Sequence, residues 1–372
     1  MQLSKETMEA LAMGGLILGA GGGGSMEEGL KTGFASLDYG SPTMISVEEL
    51  SPEDVVVTIS GVGSPASTEA YVEPNYYNRI LELLTKELGQ KPKALMPSEM
   101  GGASSFGPFV ASAVNGIPVL DAACNGRAHP LGTMGSLGLS EKKDHRTIQV
   151  ALGGDPNKDQ QVELIAKGSV NHTASLVLSS AILAGGLVVV ARNPVKADFV
   201  KTNAAVGCYS QSLEIGKAHL KGKTPEEKIG NVLSLLNGRV LCEGVVDTYQ
   251  LETRNGLDVG SMTLSGEQEY KVHFWNEYMA IEEDGVRIFT FPDFMMTFHK
   301  ETGMPLTTAM INEGMEVVLC AASRENLILG GGMREVSGYR KIEEALGIPM
   351  LNYVPEVAAK TQEKKGESRK EG

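Results

Sequence analysis

Five segments between residues 54 and 120 alternate in character, and that alternation restricts the fold more than any other feature of the chain. Residues 54–60 (Asp-Val-Val-Val-Thr-Ile-Ser), 94–96 (Ala-Leu-Met) and 117–120 (Ile-Pro-Val-Leu) are short apolar runs of strand type. Between them, residues 75–88 set Ile80, Leu81, Leu83, Leu84 and Leu88 on or near one helical face. Residues 105–115 form a small-residue helix that closes at Gly116. Strand, helix, strand, helix, strand at this spacing is a parallel α/β sheet with right-handed crossovers. Its loops 61–65, 98–102 and 121–130 then share the carboxyl edge, where open α/β folds bind ligands.

The third of these loops carries the most chemistry. Asp121, Cys124, Arg127 and His129 fall within nine residues, and Cys124 and His129 converge only if Asn125-Gly126 turns the chain. A thiol and an imidazole brought together read either as a soft-metal site or as an activated thiolate. For zinc a third ligand is needed, with His172 the first candidate and Glu99 or Glu69 as alternatives. Asp121 is placed to orient an imidazole or a metal-bound water, or only to cap a turn. Arg127 offers a fork of donors for a carboxylate or ring amide, and a salt bridge to Glu99 would explain it equally. Glu99, beside Gly101-Gly102, is a candidate general base or simply an exposed acid.

Upstream, Ser4 caps a helix through Met8, Leu11 and Ala12 that stops in Gly19-Ala20-Gly21-Gly22-Gly23-Gly24-Ser25. These letters fit G-x-G-x-x-G, but the preceding element is helical, and no Gly-Lys-Ser/Thr follows, so neither a dinucleotide fingerprint nor a P-loop is expected. The glycines serve as a turn or let backbone line a site. Residues 173–191 are uncharged but divided by Ser175, Ser179, Ser180 and Gly185-Gly186, which predicts a buried helix, a turn and a buried strand rather than a membrane span. From residue 238 onward the signals are strands, with Asn-Gly and Asp-Gly turns at 255 and 284. In that half, Asn276 and Glu277 are polar groups among core aromatics.

The expected organisation is an α/β N-terminal domain, 1–165, with a parallel or mixed sheet flanked by helices. A β-rich α+β domain, 166–358, follows, and a charged tail, 359–372, is expected to be disordered. A net charge of -13 without a basic block argues against nucleic acid as a partner. Four cysteines without a short-spaced pair, and no secretory leader, fit a reducing cytoplasmic protein, free of membrane, that binds a small molecule and is allowed to form a homo-oligomer.

The motifs Leu18 to Gly24, Glu99-Met100-Gly101-Gly102, Asp121 to Pro130, Asn276-Glu277-Tyr278, Asp284-Gly285 and Phe291-Pro292-Asp293 occur here in an order and spacing that resemble the S-methyl thiohydantoin desulfurase family. That family was long a domain of unknown function associated with hydantoinases and oxoprolinases. The resemblance spans about residues 5 to 355 and implies a two-domain chain. This sequence departs from the pattern at Ala123, at His129 and at Leu131-Gly132-Thr133.

With that resemblance, the leading expectation is a metal-assisted hydrolase of a five-membered cyclic amide or thioamide, a thiohydantoin or hydantoin, that releases sulfide or methanethiol. Cys124, His129 and His172 would hold a divalent metal, with zinc first. Asp121 or Glu99 would take the proton and Arg127 would hold an acidic substituent or oxyanion. Gly22, Gly23, Gly101, Gly102, Asn276 and Glu277 would line the substrate. Alternatives are a metal-free enzyme with Cys124 as nucleophile and His129 as base, a non-catalytic partner of a hydantoinase-type amidohydrolase, and, weakest, a dinucleotide oxidoreductase.

Overall fold

The computed structural model describes residues 1, 3–63, 67–254, 257–266 and 268–359. The Asn255-Gly256 turn, Ser64-Pro65 and all of the expected tail but residue 359 lie outside the described residues.

Four strands run parallel in the order Met44–Ile45, Val119–Leu120, Ala94–Pro97, Val55–Gly63. The sheet then continues antiparallel through Leu187–Lys196, Thr147–Gly153 and Val162–Gly168, which makes it mixed. Strand Val162–Gly168 crosses residue 165, and Leu187–Lys196 lies between strands from the first 153 residues. The first sheet therefore draws on chain from both sides of position 165.

One face of this sheet buries Val57, Ile59, Leu95, Val150, Leu152, Val189 and Ala191 against helix Pro74–Leu88, whose Tyr76, Ile80, Leu81, Leu83 and Leu84 are buried. The helix starts on a proline at its first position and ends on Gly89 in the left-handed region, the two ends that backbone sterics favour. Helix Val170–Leu183 covers the opposite face near Ala151, Val188 and Val190. Residues 173–183 are not the buried helix that their lack of charge predicted. Leu176, Leu178, Ile182 and Leu183 are exposed, and the helix buries a single side.

The second sheet has eight antiparallel strands in the order Val286–Thr290, Glu277–Glu283, Glu269–Trp275, Leu257–Ser265, Arg239–Arg254, Glu316–Ala322, Phe294–His299, Pro305–Leu306. It contributes Met262, Val272, Phe274, Tyr278, Phe294, Met296 and Leu319 to the largest core. Helices Lys5–Gly19 and Cys208–Lys221 bind the chain's beginning to its second half. A Cβ on Gly14 would lie 1.8 Å from the Ser212 carbonyl oxygen, and one on Gly216 would lie 1.8 Å from that of Ala10. Two glycines thus let these helices meet backbone to backbone, and any side chain at either position would push them apart. Among the described residues no helix is long and apolar enough to cross a membrane.

Candidate active site

The site lies where two parallel strands end. The carbonyls of Pro97 and Ser98 accept from the N–H groups of Cys124 (3.0 Å) and Asn125 (3.1 Å), and the Asn125 carbonyl accepts from Met100 N–H (3.1 Å). Glu99 and Asn125 form an isolated parallel bridge. This pairing carries the sheet register one step past its edge and fixes Glu99 under the following loop. The backbone N–H of His129 donates to Glu99 Oε2 at 3.2 Å, and the ring Nε2 lies 3.4 Å from the same oxygen. The His129 and Glu99 side chains are only 3% and 14% exposed, so bulk water screens their interaction little. Burial pushes the imidazole below its usual value, with the Glu99 charge opposing. A neutral ring beside a carboxylate can accept and pass on a proton.

The glycine runs close this site from above. Gly23 and Gly101 pack backbone against backbone, since a Cβ on Gly23 would lie 2.6 Å from the Gly101 Cα. The Gly23 carbonyl accepts from Ala103 and Ser104 N–H groups (2.9 and 3.0 Å), and Gly21, Gly23 and Gly24 take positive φ angles (98°, 76° and 78°) that only glycine adopts freely. A Cβ on Gly22 would stand 2.0 Å from Glu277 Oε1, so the glycine makes room for that carboxyl. Glu277 is buried, and its Oε2 has no hydrogen-bond partner among the described residues. Burial, reinforced by Glu99 and opposed by Arg127, raises its pKa well above the usual carboxylate range. Burial and the neighbouring Glu99 carboxylate thus both favour the protonated form of Glu277.

Arg192 approaches from the other side. It belongs to strand Leu187–Lys196 and lies opposite Thr58 and Gln149 in the sheet register. It is buried, and its field acts on Glu99, His129 and Cys124. Nothing in the loop motifs pointed to it. The available signal was a lone arginine in the run Leu-Val-Val-Val-Ala-Arg, a charge in a strand otherwise fit for burial.

Other expected site residues have structural roles. Asp121 accepts from the N–H groups of Tyr209 (2.9 Å) and Ser210 (3.1 Å) and from the Ser210 hydroxyl (2.5 Å), which ties it to the first turn of helix Cys208–Lys221. Its carboxylate satisfies the free donors and positive dipole end of that helix. Arg127 is fully buried and donates to the carbonyls of Asp293 (2.5 Å) and Tyr278 (3.4 Å), with its guanidinium 4.6 Å from the Phe291 ring centre. Burial lowers it to about 10, so it remains charged at neutral pH, with Glu277 and Asp293 opposing the shift. Asn276 takes a left-handed conformation (φ 54°) and accepts from Asp258 N–H (2.8 Å), forming the turn that delivers Glu277. Gly126 keeps a negative φ. A Cβ there would lie 1.9 Å from the Ile328 carbonyl oxygen, so the position is glycine for close approach of backbone.

Cys124, His129 and His172 do not converge. Cys124 is sealed among Val56, Met96, Leu120, Ala122 and Leu137, and its Sγ lies 3.3 Å from the Thr58 hydroxyl. Burial pushes its thiol up to about 11, which disfavours the thiolate that a nucleophile needs. His172 is exposed in the first turn of helix Val170–Leu183. Among the described residues no group of three His, Cys, Asp or Glu side chains is arranged to hold a metal ion. Cys124, His129 and His172 thus do not form the expected three-ligand group.

A second glycine run, passed over in the sequence, braces the site loop. Cβ atoms on Gly330 and Gly332 would lie 1.8 and 1.7 Å from the carbonyl oxygens of Cys124 and Met134. The chain after strand Glu316–Ala322 thus lies flat on the back of the loop that bears His129.

Two family models match the chain: the S-Me-THD-like N-terminal domain over residues 6–154 and the S-Me-THD-like C-terminal domain over residues 169–339. The chain is also similar to the crystal structure of a protein from Chromobacterium violaceum. The TM-score is 0.69 at 19% identity, with 92% of this chain and 96% of that one covered, a likeness of fold. No curated protein matches the sequence significantly.

Proposed function

This chain belongs to the S-methyl thiohydantoin desulfurase family, and from that premise we propose that it is a hydrolase that removes the sulfur substituent from a five-membered S-methyl thiohydantoin ring. The observation that supports this most is the buried Glu99–His129 pair at the carboxyl edge of the parallel strands. Glu277, whose protonated form burial favours, and the Arg192 guanidinium are its charged or ionisable neighbours.

In this reading the ring lies beside the Glu99–His129 pair, and the Gly22-Gly23 and Gly101-Gly102 backbones, packed on each other and on Glu277, form the wall behind it. Water adds to the ring carbon that bears sulfur, and the ring nitrogen of that carbon–nitrogen double bond takes the displaced electron pair. Glu99 accepts one proton from the water and passes it to that nitrogen. The carbon–sulfur bond then breaks as the new hydroxyl becomes a carbonyl, and His129 transfers the hydroxyl proton to the departing sulfur. The products are methanethiol and the cyclic urea. In its protonated form, which burial favours, Glu277 limits the negative charge beside Glu99 to one carboxylate.

Methanethiol release from an S-methyl thiohydantoin tests the assignment. General acid–base groups contribute about 10²–10⁴-fold. Glu99→Gln is expected to lose activity by about that factor and to keep its melting temperature within a few degrees. A Glu99→Gln enzyme with wild-type turnover would remove Glu99 from the mechanism.

A further inference from the structure

Arg192 is a charged group of this site that nothing among the described residues completes. Its guanidinium is buried, and among the described residues it makes no hydrogen bond and no ion pair, its Nε being fully enclosed without a partner. Two further polar atoms on the same sheet face are buried without partners. Gln149 is the register partner of Arg192, and its Nε2 donates to the Thr173 hydroxyl (2.8 Å) while its Oε1 has no partner. Ser60 stands two residues beyond Thr58 on one strand, hence on the same face, and its Oγ has no partner either. A cation and two dipoles left unpaired in one place are costly in a folded protein unless something completes them.

The neighbours show where that ligand must come from. Thr58, opposite Arg192, has turned its hydroxyl to the Cys124 thiol. Glu99, the nearest acid, is committed to the His129 N–H. The loop beside Arg192 is open, because Gly132 is exposed and a Cβ on it would lie 3.8 Å from Arg192 Nη1. The guanidinium thus lies beneath an exposed residue that carries no side chain.

We propose that Arg192 binds a carboxylate carried on a side arm of the substrate ring, held by the guanidinium fork and the Gln149 and Ser60 side chains, and so orients the ring over Glu99 and His129. The role rests on reading the Glu99–His129 pair as the reaction centre. It is a positioning role, and it replaces Arg127 as the group that receives an acidic substituent. Arg127 spends Nη1 and Nη2 on carbonyls and leaves only its Nε without a partner, whereas Arg192 bonds through none of its donors among the described residues.

Two ligand pairs test it. Turnover is measured with an S-methyl thiohydantoin bearing a short carboxylate arm and with the corresponding carboxamide. Binding is measured by calorimetry with the two sulfur-free hydantoins. A charge-assisted contact of this type corresponds to about 10–100-fold in affinity. Wild type is expected to prefer the carboxylate in both assays by about that factor, and Arg192→Met to lose the preference through KM. Arg192→Lys is expected to recover part of it. The melting temperature of Arg192→Met is expected to stay level or rise, because an unpaired buried charge has been removed; a purely structural arginine would lower it. Equal losses on carboxylate and carboxamide, or an unchanged preference in both variants, would overturn the proposal and leave the hydrolase reading standing. Selective carboxylate binding that depends on Arg192, without turnover of either ring, would uphold Arg192 and reject the hydrolase reading.

Discussion

Two buried arginines, about as well hidden from water as each other, divide this protein into a part that is finished and a part that awaits a ligand. Arg127 stands in the conspicuous loop and spends its donors on the carbonyls of Asp293 and Tyr278, with its face on Phe291. Arg192 stands in an unremarkable strand and has no such partners among the described residues. Both are desolvated, and burial lowers the pKa of each. The difference lies in compensation: a buried charge with fixed partners maintains a fold, and one without them holds free energy that an anion can release. Conspicuous spacing in a sequence therefore marked the residue that joins the two sheets, and the candidate binding residue was the quieter one.

The contrast breaks first at Arg127. Arg127→Met removes two carbonyl contacts and a cation–π contact, and is expected to destabilise the fold by about 3 kcal/mol in denaturant titration. If it unfolds no more easily than Arg192→Met, the two arginines do not differ as described. A smaller effect should come from Gly22→Ala. The φ of Gly22 is not in the left-handed region, so the change tests only the 2.0 Å approach of Glu277 Oε1. Overpacking of this kind costs about 1–3 kcal/mol, and turnover should fall as the carboxyl is displaced. Wild-type stability and rate in that variant would mean that Glu277 is free to move aside.

The smallest effect concerns a third buried ionisable group on the finished side. Glu335 accepts from the Ser140 hydroxyl (2.7 Å) and from Ser136 (3.4 Å), which ties the end of the second glycine run to the loop after His129. Burial raises its pKa to about 7 from the usual 4.5. The folded state then binds more protons than the unfolded chain between those values, so stability falls as pH rises from about 4.5 through 7. Between pH 5 and 8 the change is on the order of 2 kcal/mol. Glu335→Gln is expected to match wild type in melting temperature at pH 5 and to exceed it at pH 8. Parallel melting curves across that range would show that Glu335 is not the titrating group.

Legibility followed the range of the interactions. The β-α-β-α-β run, the caps of its helices and the antiparallel second half were readable because periodicity and turn residues are local. Glu99, His129, Glu277 and the Gly22-Gly23 and Gly101-Gly102 pairs were readable as candidates because they are odd residues at strand ends. Their partners were not. The alliance of Glu99 with His129, rather than of Cys124 with His129, depends on a bridge between two loops. Residues 61–63 continue a strand paired with Leu187–Val190, and the third wall of the site comes instead from the glycine run after the first helix. That substitution depends on how Lys5–Gly19 packs against Cys208–Lys221, about 200 residues away in the chain.

We expect the Cys124 thiol to do no chemistry and the Glu99 carboxylate beside it to do it. Cys124→Ala, assayed for methanethiol release from an S-methyl thiohydantoin, separates the two most directly. Retention of wild-type turnover within a few-fold is the result expected, since Cys124 is enclosed by aliphatic side chains and its thiol is raised to about 11. Loss of turnover by a thousandfold in a folded Cys124→Ala protein would contradict it and would return the reaction to the sulfur.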